Sequence, residues 1–144
     1  MTKVFIDGSA GTTGLRIRER LGVREGMELV ALPEELRKNL DARLDAIAEA
    51  DVAFLCLPDV AAREIAAAAD AAGCNTVIID TSTAHRTADG WTYGFPELAG
   101  QRAKVAVAKR IANPGCHATG FIATVAPLVR RGSSPPTRSF RHSR

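Results

Sequence analysis

Residues 3–14, with the sequence KVFIDGSAGTTG, decide how this chain folds. An apolar run of strand length ends at Asp7, and three glycines follow at G-x-x-G-x-x-G spacing. Leu15, Ile17 and Leu21 then recur at the spacing of one helical face. A strand, a glycine-rich turn and a helix in that order are the context in which a dinucleotide-binding loop is expected.

The glycine positions suggest how such a loop would hold a cofactor. Gly8 allows a tight turn, Gly11 lets a pyrophosphate approach the backbone, and Gly14 lets the helix pack closely on the strand. Backbone N–H groups at the start of a helix bind phosphate, so the N–H groups of residues 10–13 would face the phosphates of the cofactor. Glycines that only make a turn are the alternative, because the commoner fingerprint is G-x-G-x-x-G. The predicted cofactor-binding residues of this loop are Gly8, Ser9, Ala10, Gly11, Thr12, Thr13 and Gly14.

Apolar strands and helices alternate along the rest of the chain. An alanine-rich helix ends at Gly73, with Asp59 predicted as its N-cap. A helix is also predicted around residues 101–107, where a strand at residues 105–107 is the alternative, and an irregular aromatic loop is predicted at residues 91–98. The alternation predicts an α/β fold, a Rossmann-like doubly wound parallel sheet with right-handed crossovers. The predicted strands are residues 3–7, 28–32, 51–57, 76–80 and 110–112.

Loops that follow three of these strands should meet at one edge of the sheet, where ligands of such folds collect. Because residues 57–59 form one of these loops, Pro58 is added to the predicted cofactor-binding residues. In the loop after residue 80, Ser82, His85 and Arg86 supply a hydroxyl, an imidazole and a guanidinium. These side chains would bind an anionic substrate or the nicotinamide side of a cofactor. A polar loop with a helix cap is the alternative.

The end of the second strand bears on the choice between NAD and NADP. In many NAD-binding units this strand ends in an acid that binds the ribose 2′-hydroxyl. Here it ends in Leu32 and Pro33, and Arg37 or Lys38 would be able to meet a 2′-phosphate. That arrangement favours NADP, whereas a solvated helix face is the alternative reading of the two cations.

A second informative stretch is Asn113-Pro114-Gly115-Cys116. Pro114 should end the preceding strand, and Gly115 allows a tight turn. Because apolar residues from Phe121 onward recur at helical spacing, Cys116 should lie near a helix N-terminus. Unpaired N–H groups and the helix dipole favour a thiolate there, which predicts a catalytic nucleophile. A small, buried apolar residue is the alternative.

Composition and charge limit the class of protein. The 144 residues are 46% hydrophobic, which suffices for one soluble domain with a real core, and no apolar stretch is long enough for a membrane span. The cysteines have no metal-ligand spacing, so no metal site is predicted, and reduced thiols fit a cytoplasmic protein.

The net charge of +3 lies entirely in residues 133–144, which contain three arginines and no acid. The remaining body of the chain is neutral, which argues against nucleic acid as a partner. Because residues 133–144 contain one large apolar side chain, they cannot bury themselves. We therefore predict an NAD(P)-binding domain at residues 1–132 and a disordered basic tail at residues 133–144.

Four blocks of sequence together resemble the N-acetyl-gamma-glutamyl-phosphate reductase family, most closely its shorter form, an enzyme of arginine biosynthesis. The blocks are residues 8–14, 82–86 (STAHR), 93–98 (YGFPEL) and 113–116 (NPGC). The resemblance runs from the N-terminus to about Gly132. The family motif usually continues Cys-Tyr-Pro-Thr, whereas this chain continues with His117 and Ala118 after Cys116. Aspartate-semialdehyde dehydrogenase is similar to this family in fold and in its catalytic cysteine.

The resemblance implies a reaction. The Cys116 thiolate would attack the acyl phosphate of N-acetyl-glutamyl 5-phosphate, expel phosphate and leave a thioester. NADPH along residues 8–14 would supply the hydride that yields N-acetyl-glutamate 5-semialdehyde, and helix N–H groups after Cys116 would stabilise the oxyanion.

The resemblance also implies that the chain is short. Family members run to about twice the length of one domain, so we expect a truncated chain without the second domain. That domain carries the substrate pocket, the catalytic histidine and much of the homo-oligomer contact, and His85 and His117 are not expected to replace its histidine. We expect the chain to bind NADPH and to have very low reductase activity. The family forms homo-oligomers, and we do not predict the same oligomeric state for this chain. Alternatives are a non-catalytic NADP-binding or redox-sensing module, an aspartate-semialdehyde dehydrogenase-like enzyme, and an interaction protein that binds an anionic polymer through the basic tail at residues 133–144.

Overall fold

A computed structural model describes residues 1–132, and the tail predicted at residues 133–144 lies outside the described residues. The chain divides into two compact units after Pro114. Met1–Pro114 form the first unit, which contains the sheet and the glycine-rich loop, and the second unit begins at Gly115 with the helix that carries Cys116.

The strands of the first unit are β1 (Thr2–Asp7), β2 (Met27–Val30), β3 (Val52–Leu55), β4 (Val77–Asp80), β5 (Thr92–Tyr93) and β6 (Arg110–Ala112). All pairings are parallel, and the strand order is β2-β1-β3-β4-β6-β5. The chain runs from β1 to β2 and then crosses to the other side of β1, so a topological switch point lies between β1 and β3. The predicted Rossmann-like, doubly wound parallel sheet is confirmed.

The helices are α1 (Thr12–Gly22), α2 (Leu40–Glu49), α3 (Asp59–Ala71), α4 (Gln101–Val107) and α5 (Cys116–Arg130), with a 3-10 turn at Glu34–Leu36. The predicted helix at residues 101–107 is confirmed. Gly73 follows the end of α3 with a φ of +71°, a conformation that glycine adopts without strain.

The core lies between one face of the sheet and helices α2 and α3. Phe5, Ala53 and Ile78 are neighbours on adjacent strands, so their side chains share that face. They pack with Ile47 of α2 and Ile65 of α3, both fully buried. The same register places Asp7, Leu55 and Asp80 side by side at the carboxyl edge of the sheet.

Three local predictions were wrong. Residues 91–98 are not wholly irregular, because Thr92 and Tyr93 form the edge strand β5 beside β6. Asp59 is not the N-cap of α3; Pro58 holds that position, and the Asp59 carboxylate accepts hydrogen bonds from Thr83 instead. Gly115 makes no tight turn, since its φ of −78° and ψ of 153° are an extended conformation open to any residue.

Candidate cofactor-binding site and cysteine

The glycine-rich loop connects β1 to α1 at the switch point of the sheet. Gly8 has a φ of +82°, and its carbonyl accepts a hydrogen bond of 3.0 Å from the N–H of Gly11, which closes the turn. Gly11 is the N-cap of α1. Its N–H is therefore used inside the turn, which removes one of the donors expected from residues 10–13. The N–H groups of the first helical turn, from Thr12 and Thr13, have no intrahelical acceptor and are free for an anion.

Two of the glycines are required by close backbone contacts. A Cβ at Gly8 would lie 2.3 Å from the carbonyl oxygen of Cys56, and a Cβ at Gly14 would lie 2.4 Å from that of Gly8. Backbone atoms cannot swing away as a side chain can, so no larger residue fits without moving the loop. Gly14 is buried, as its predicted role in close packing of helix and strand requires.

A cavity of about 510 Å³ opens beside this loop. The predicted residues Gly8, Ser9 and Ala10 line it, together with the ends of β1 and β2. Its volume is within the range of small-molecule and cofactor pockets, roughly 300–1,000 Å³. Two exposed guanidinium groups also line the cavity, Arg18 from α1 and Arg37 from the segment after β2. The cavity thus combines a backbone-lined glycine turn with positive charge, which suits a phosphorylated nucleotide.

A buried ion pair lies beside the cavity. Asp7, the last residue of β1, receives hydrogen bonds on Oδ2 from Nε and Nη2 of Arg43, at 2.9 and 2.7 Å. The two side chains are 6% and 10% exposed. Burial raises the pKa of Asp7, and the Arg43 guanidinium opposes that rise. Among the groups around Asp7, Arg43 does most to favour the charged form of the carboxylate.

The predicted substrate-binding residues Ser82 and His85 are both engaged by Asp80, which is fully buried. Asp80 Oδ1 accepts from the Ser82 N–H, and Oδ2 lies 2.7 Å from the Ser82 hydroxyl and 2.6 Å from His85 Nδ1. The His85 ring stacks on Trp91, with 3.9 Å between ring centroids. These contacts make Asp80 the anchor of the loop that follows β4.

Further contacts link the loops at the carboxyl edge within the first unit. Asp59, beside Pro58, accepts hydrogen bonds from the N–H and the hydroxyl of Thr83, which lower the pKa of Asp59. Arg86 donates from Nε to the carbonyl of Asn113 at 3.2 Å and from Nη2 to that of Thr81 at 3.4 Å. The segments after β3, β4 and β6 are thus tied together, and Nη1 of Arg86 has no partner within the described residues.

In the second unit, Cys116 is the first residue of α5 and is exposed. This is the helix start that the sequence predicts for it. His117 Nδ1 lies 3.6 Å from the Cys116 sulfur, a contact that the sequence analysis did not anticipate. The other two cysteines, Cys56 and Cys74, are half-buried, and burial raises the pKa of Cys56.

Two further properties concern residues 1–132 alone. None of their helices combines the length and the apolar composition that a membrane span needs. Within the same part of the chain, no three His, Cys, Asp or Glu side chains are grouped so that they could hold a metal ion.

A parallel sheet with a glycine turn at its switch point and a cavity beside that turn define a Rossmann-type dinucleotide-binding domain. The sequence model of the semialdehyde dehydrogenase NAD-binding domain matches residues 9–106, and the chain belongs to that family. The family match assigns a nicotinamide cofactor to this domain, and the two crowded glycines and the cavity fit such a group.

Curated relatives carry a more specific name. The chain is 51% identical over 134 residues to "N-acetyl-gamma-glutamyl-phosphate reductase 2" of Nostoc sp. (strain PCC 7120 / SAG 25.82 / UTEX 2576), a match that covers 92% of this chain and 41% of that protein. It is 52% identical to N-acetyl-gamma-glutamyl-phosphate reductase of Brucella ovis, over 92% of this chain and 43% of the relative. The chain therefore spans about two fifths of the length of the curated relatives it matches.

Solved structures share the fold. Aspartate semialdehyde dehydrogenase from Francisella tularensis matches with a TM-score of 0.67 and 16% identity, over 92% of this chain and 42% of that one. The enzyme from Candida albicans, solved with NADP, matches with a TM-score of 0.60 and 16% identity, over 91% of this chain and 47% of that one. At this level of identity the likeness concerns the fold.

Sequence reasoning missed several residues around the site. Arg18 was not singled out from the sequence, and Arg43 gave no signal because its partner Asp7 is 36 residues away. Asp80 was assigned only to the end of a strand. An acid at the last position of an otherwise apolar buried strand was the available signal for both Asp7 and Asp80, since buried acids are rare unless they are paired.

Proposed function

We propose that the chain is the cofactor-binding part of an NADP-dependent acyl-phosphate reductase, and that Cys116 is its nucleophile. The observation that carries the proposal is the exposed cysteine at the first position of α5, in a chain whose glycine loop belongs to a nicotinamide-binding family. The proposed substrate is N-acetyl-glutamyl 5-phosphate, because the relatives are named for that chemistry. Arginine biosynthesis is the corresponding role.

The chain's own residues supply the first half of the reaction. The Cys116 thiolate forms a bond to the acyl carbon, and the bond to phosphate breaks, which leaves a thioester and inorganic phosphate. N–H groups of the first turn of α5 are oriented toward an anion at Cys116 and would stabilise the oxyanion. NADPH supplies a hydride when it is bound. Arg86, with Nη1 unused, is proposed to bind an anionic group of the substrate, while Ser82 and His85 shape that loop through Asp80.

The nucleophile is tested by thiol chemistry on the full chain. We expect iodoacetamide to modify Cys116 about tenfold faster than Cys56 or Cys74, and faster in the folded chain than in urea. We also expect acetyl phosphate, a simple acyl phosphate, to leave a hydroxylamine-sensitive acetyl group on Cys116. Peptide mass mapping measures both, and Cys116→Ser is the control.

The two reactions separate the proposed function from its rival. Selective alkylation without any acetyl thioester would favour a redox-sensing module and contradict the reductase. Alkylation of Cys116 that is slower in the folded chain than in urea would contradict an activated nucleophile of either kind. His117→Ala shows whether the neighbouring imidazole contributes, since its Nδ1 lies 3.6 Å from the sulfur.

For the cofactor we propose NADP rather than NAD, on the basis of the cavity's charge. Arg37, one of the two cations expected from the sequence to meet a 2′-phosphate, lines the cavity, and Arg18 lines it as well. Lys38, the other candidate, is not among the lining residues. Two guanidinium groups match the geometry of a phosphate better than that of a ribose hydroxyl.

Substitution of either arginine should weaken NADP⁺ binding while leaving NAD⁺ binding nearly unchanged. We expect Arg37→Met and Arg18→Met each to raise the Kd for NADP⁺ about tenfold, the scale of one hydrogen bond to a charged group. Arg20→Met is the matched control, because Arg20 is exposed on the same helix as Arg18 and does not line the cavity. Calorimetric titration measures all three. An equal loss of affinity for both nucleotides would contradict a 2′-phosphate contact.

A further inference from the structure

Two buried acids end strands at the carboxyl edge of the sheet, and both are paired. Asp7 on β1 and Asp80 on β4 share their register with Leu55 on the strand between them. The partners of Asp80 come from its own loop, whereas the partner of Asp7 comes from α2, a different part of the chain. The Asp7 pair is the one that borders the cofactor cavity, since Asp7 is among the residues that line it.

Asp7 is also the residue that directly precedes the glycine turn. Its backbone carbonyl accepts a hydrogen bond of 2.8 Å from the N–H of Cys56, and Gly8 passes so close to Cys56 that no Cβ fits. The position of the turn is thus fixed by the strand end that carries the Asp7 carboxylate. A charge on this carboxylate therefore acts on any anion that the turn receives.

We propose that Arg43 is a positioning residue for the cofactor, which neutralises Asp7 under the glycine turn so that the turn can accept the phosphates of a dinucleotide. This inference rests on the proposed cofactor site. Arg43 does not line the cavity, so its proposed effect on the cofactor is indirect. Arg43 acts through Asp7: its positive charge offsets that of the carboxylate next to the turn where the cofactor phosphates bind.

Other charged or titratable groups near Asp7 cannot substitute for Arg43. Cys56, the residue directly after β3, is close enough for the charges of Asp7 and Asp80 to raise its pKa, and a thiol supplies no positive charge. Arg18 and Arg37 face the same cavity, but both are exposed and neither makes an ion pair with Asp7. Arg43 is the only ion-pair partner of Asp7 among residues 1–132.

Removal of Arg43 should therefore give cofactor binding a new dependence on pH. Burial already raises the pKa of Asp7, and Arg43 is the main group that opposes the rise. Without it the pKa rises further, so Asp7 is charged and repels phosphate at high pH, and becomes neutral as the pH falls. Affinity lost by Arg43→Met should thus be regained on acidification, whereas the loss of a phosphate-binding cation would leave the variant's own affinity no higher at the lower pH.

The test is calorimetric titration of the full chain with NADP⁺ at about pH 8 and about pH 6, with wild type as the reference at each pH because a phosphate monoester itself titrates near about pH 6. We expect Arg43→Met to bind about tenfold more weakly than wild type at the higher pH, the scale of one unit charge at roughly 10 Å. The difference in affinity between Arg43→Met and wild type should be smaller at the lower pH. The double variant Asp7→Asn with Arg43→Met should bind within about threefold of wild type at both pH values, because no unpaired charge is left.

Other outcomes overturn the inference. If the single and double variants lose affinity equally and without a pH effect, Arg43 has a structural role only. If Arg43→Met does not fold, Asp7→Asn is the variant that tests the proposal. It leaves an unpaired cation beneath the turn, so it should bind NADP⁺ at least as tightly as wild type. Weaker binding by Asp7→Asn would contradict the proposal. If folded wild type does not bind NADP⁺, the proposed function fails; if it binds and Arg43→Met matches it at both pH values, only this inference fails.

Discussion

Gly14→Ala should abolish measurable NADP⁺ binding while Gly22→Ala leaves it intact. A Cβ at Gly14 would lie 2.4 Å from the carbonyl oxygen of Gly8 and 2.8 Å from the Cα of Ser9, both backbone atoms of the loop itself. The loop must shift to relieve these contacts, and its N–H groups then no longer point at one phosphate. Loss of two hydrogen bonds to a charged group amounts to about 3 kcal/mol or more, which raises the Kd by at least about 100-fold.

Gly22→Ala is a matched control because it makes the same substitution at the other end of α1. The nearest atom to a Cβ there is Leu29 Cδ1 at 3.7 Å, an ordinary contact. Alanine in place of glycine in a helix is expected to add about 0.5–1 kcal/mol of stability, so this variant should bind normally and melt slightly higher. Calorimetric titration and thermal unfolding check both variants. Normal binding by Gly14→Ala would show that the loop does not hold the phosphates.

Asp80→Ala should strongly destabilise the first unit. Asp80 is fully buried and accepts hydrogen bonds from the backbone and hydroxyl of Ser82 and from His85. Removal of the carboxylate leaves these donors without their partner in a buried environment. We expect a loss of about 3–5 kcal/mol in the free energy of unfolding, measured by urea denaturation.

Asp70→Ala is the control for Asp80→Ala, since it removes a carboxylate that is 54% exposed in its ion pair with Arg110. Pairs of that kind contribute about 0–1 kcal/mol. The emission of Trp91, the one tryptophan of the chain, reports the local effect because His85 stacks on it. Asp80→Ala should alter that emission in the folded protein, and Asp70→Ala should not. Equal losses of stability in the two variants would contradict an anchoring role for Asp80.

The sequence predicts the parts of this fold that depend on local pattern. Apolar runs and helical spacing identified β1, β3, β4 and β6 and the helices α1, α3 and α5, and the helix predicted around residues 101–107 corresponds to α4. Strand β5 was missed because two residues form a strand only through pairing with β6, which no local pattern records. Asp59 was misassigned for a similar reason: its choice between capping α3 and binding Thr83 depends on a loop 24 residues away.

In the candidate site, too, the features set by local sequence could be predicted and those set by long-range contacts could not. The glycine turn could be predicted because its conformation is set by residues 8–14 themselves, and the helix start at Cys116 because Pro114 and the following apolar spacing are local. The buried pairs of Asp7 with Arg43 and of Asp80 with His85 join elements that meet only after folding. The roles of Cys116, Ser82, His85 and Arg86 toward a ligand stay predictions that the experiments above decide.

Hydrogen–deuterium exchange of the full chain with and without saturating NADP⁺ tests the central claim most directly, because it locates the cofactor on the backbone. We expect slower exchange in peptides that cover residues 8–14, where N–H groups meet the phosphates, and in residues 29–32, which line the same cavity. Residues 101–107 of α4 line no part of that cavity and should be unchanged. Protection confined to other segments, or none at saturation, would contradict the account.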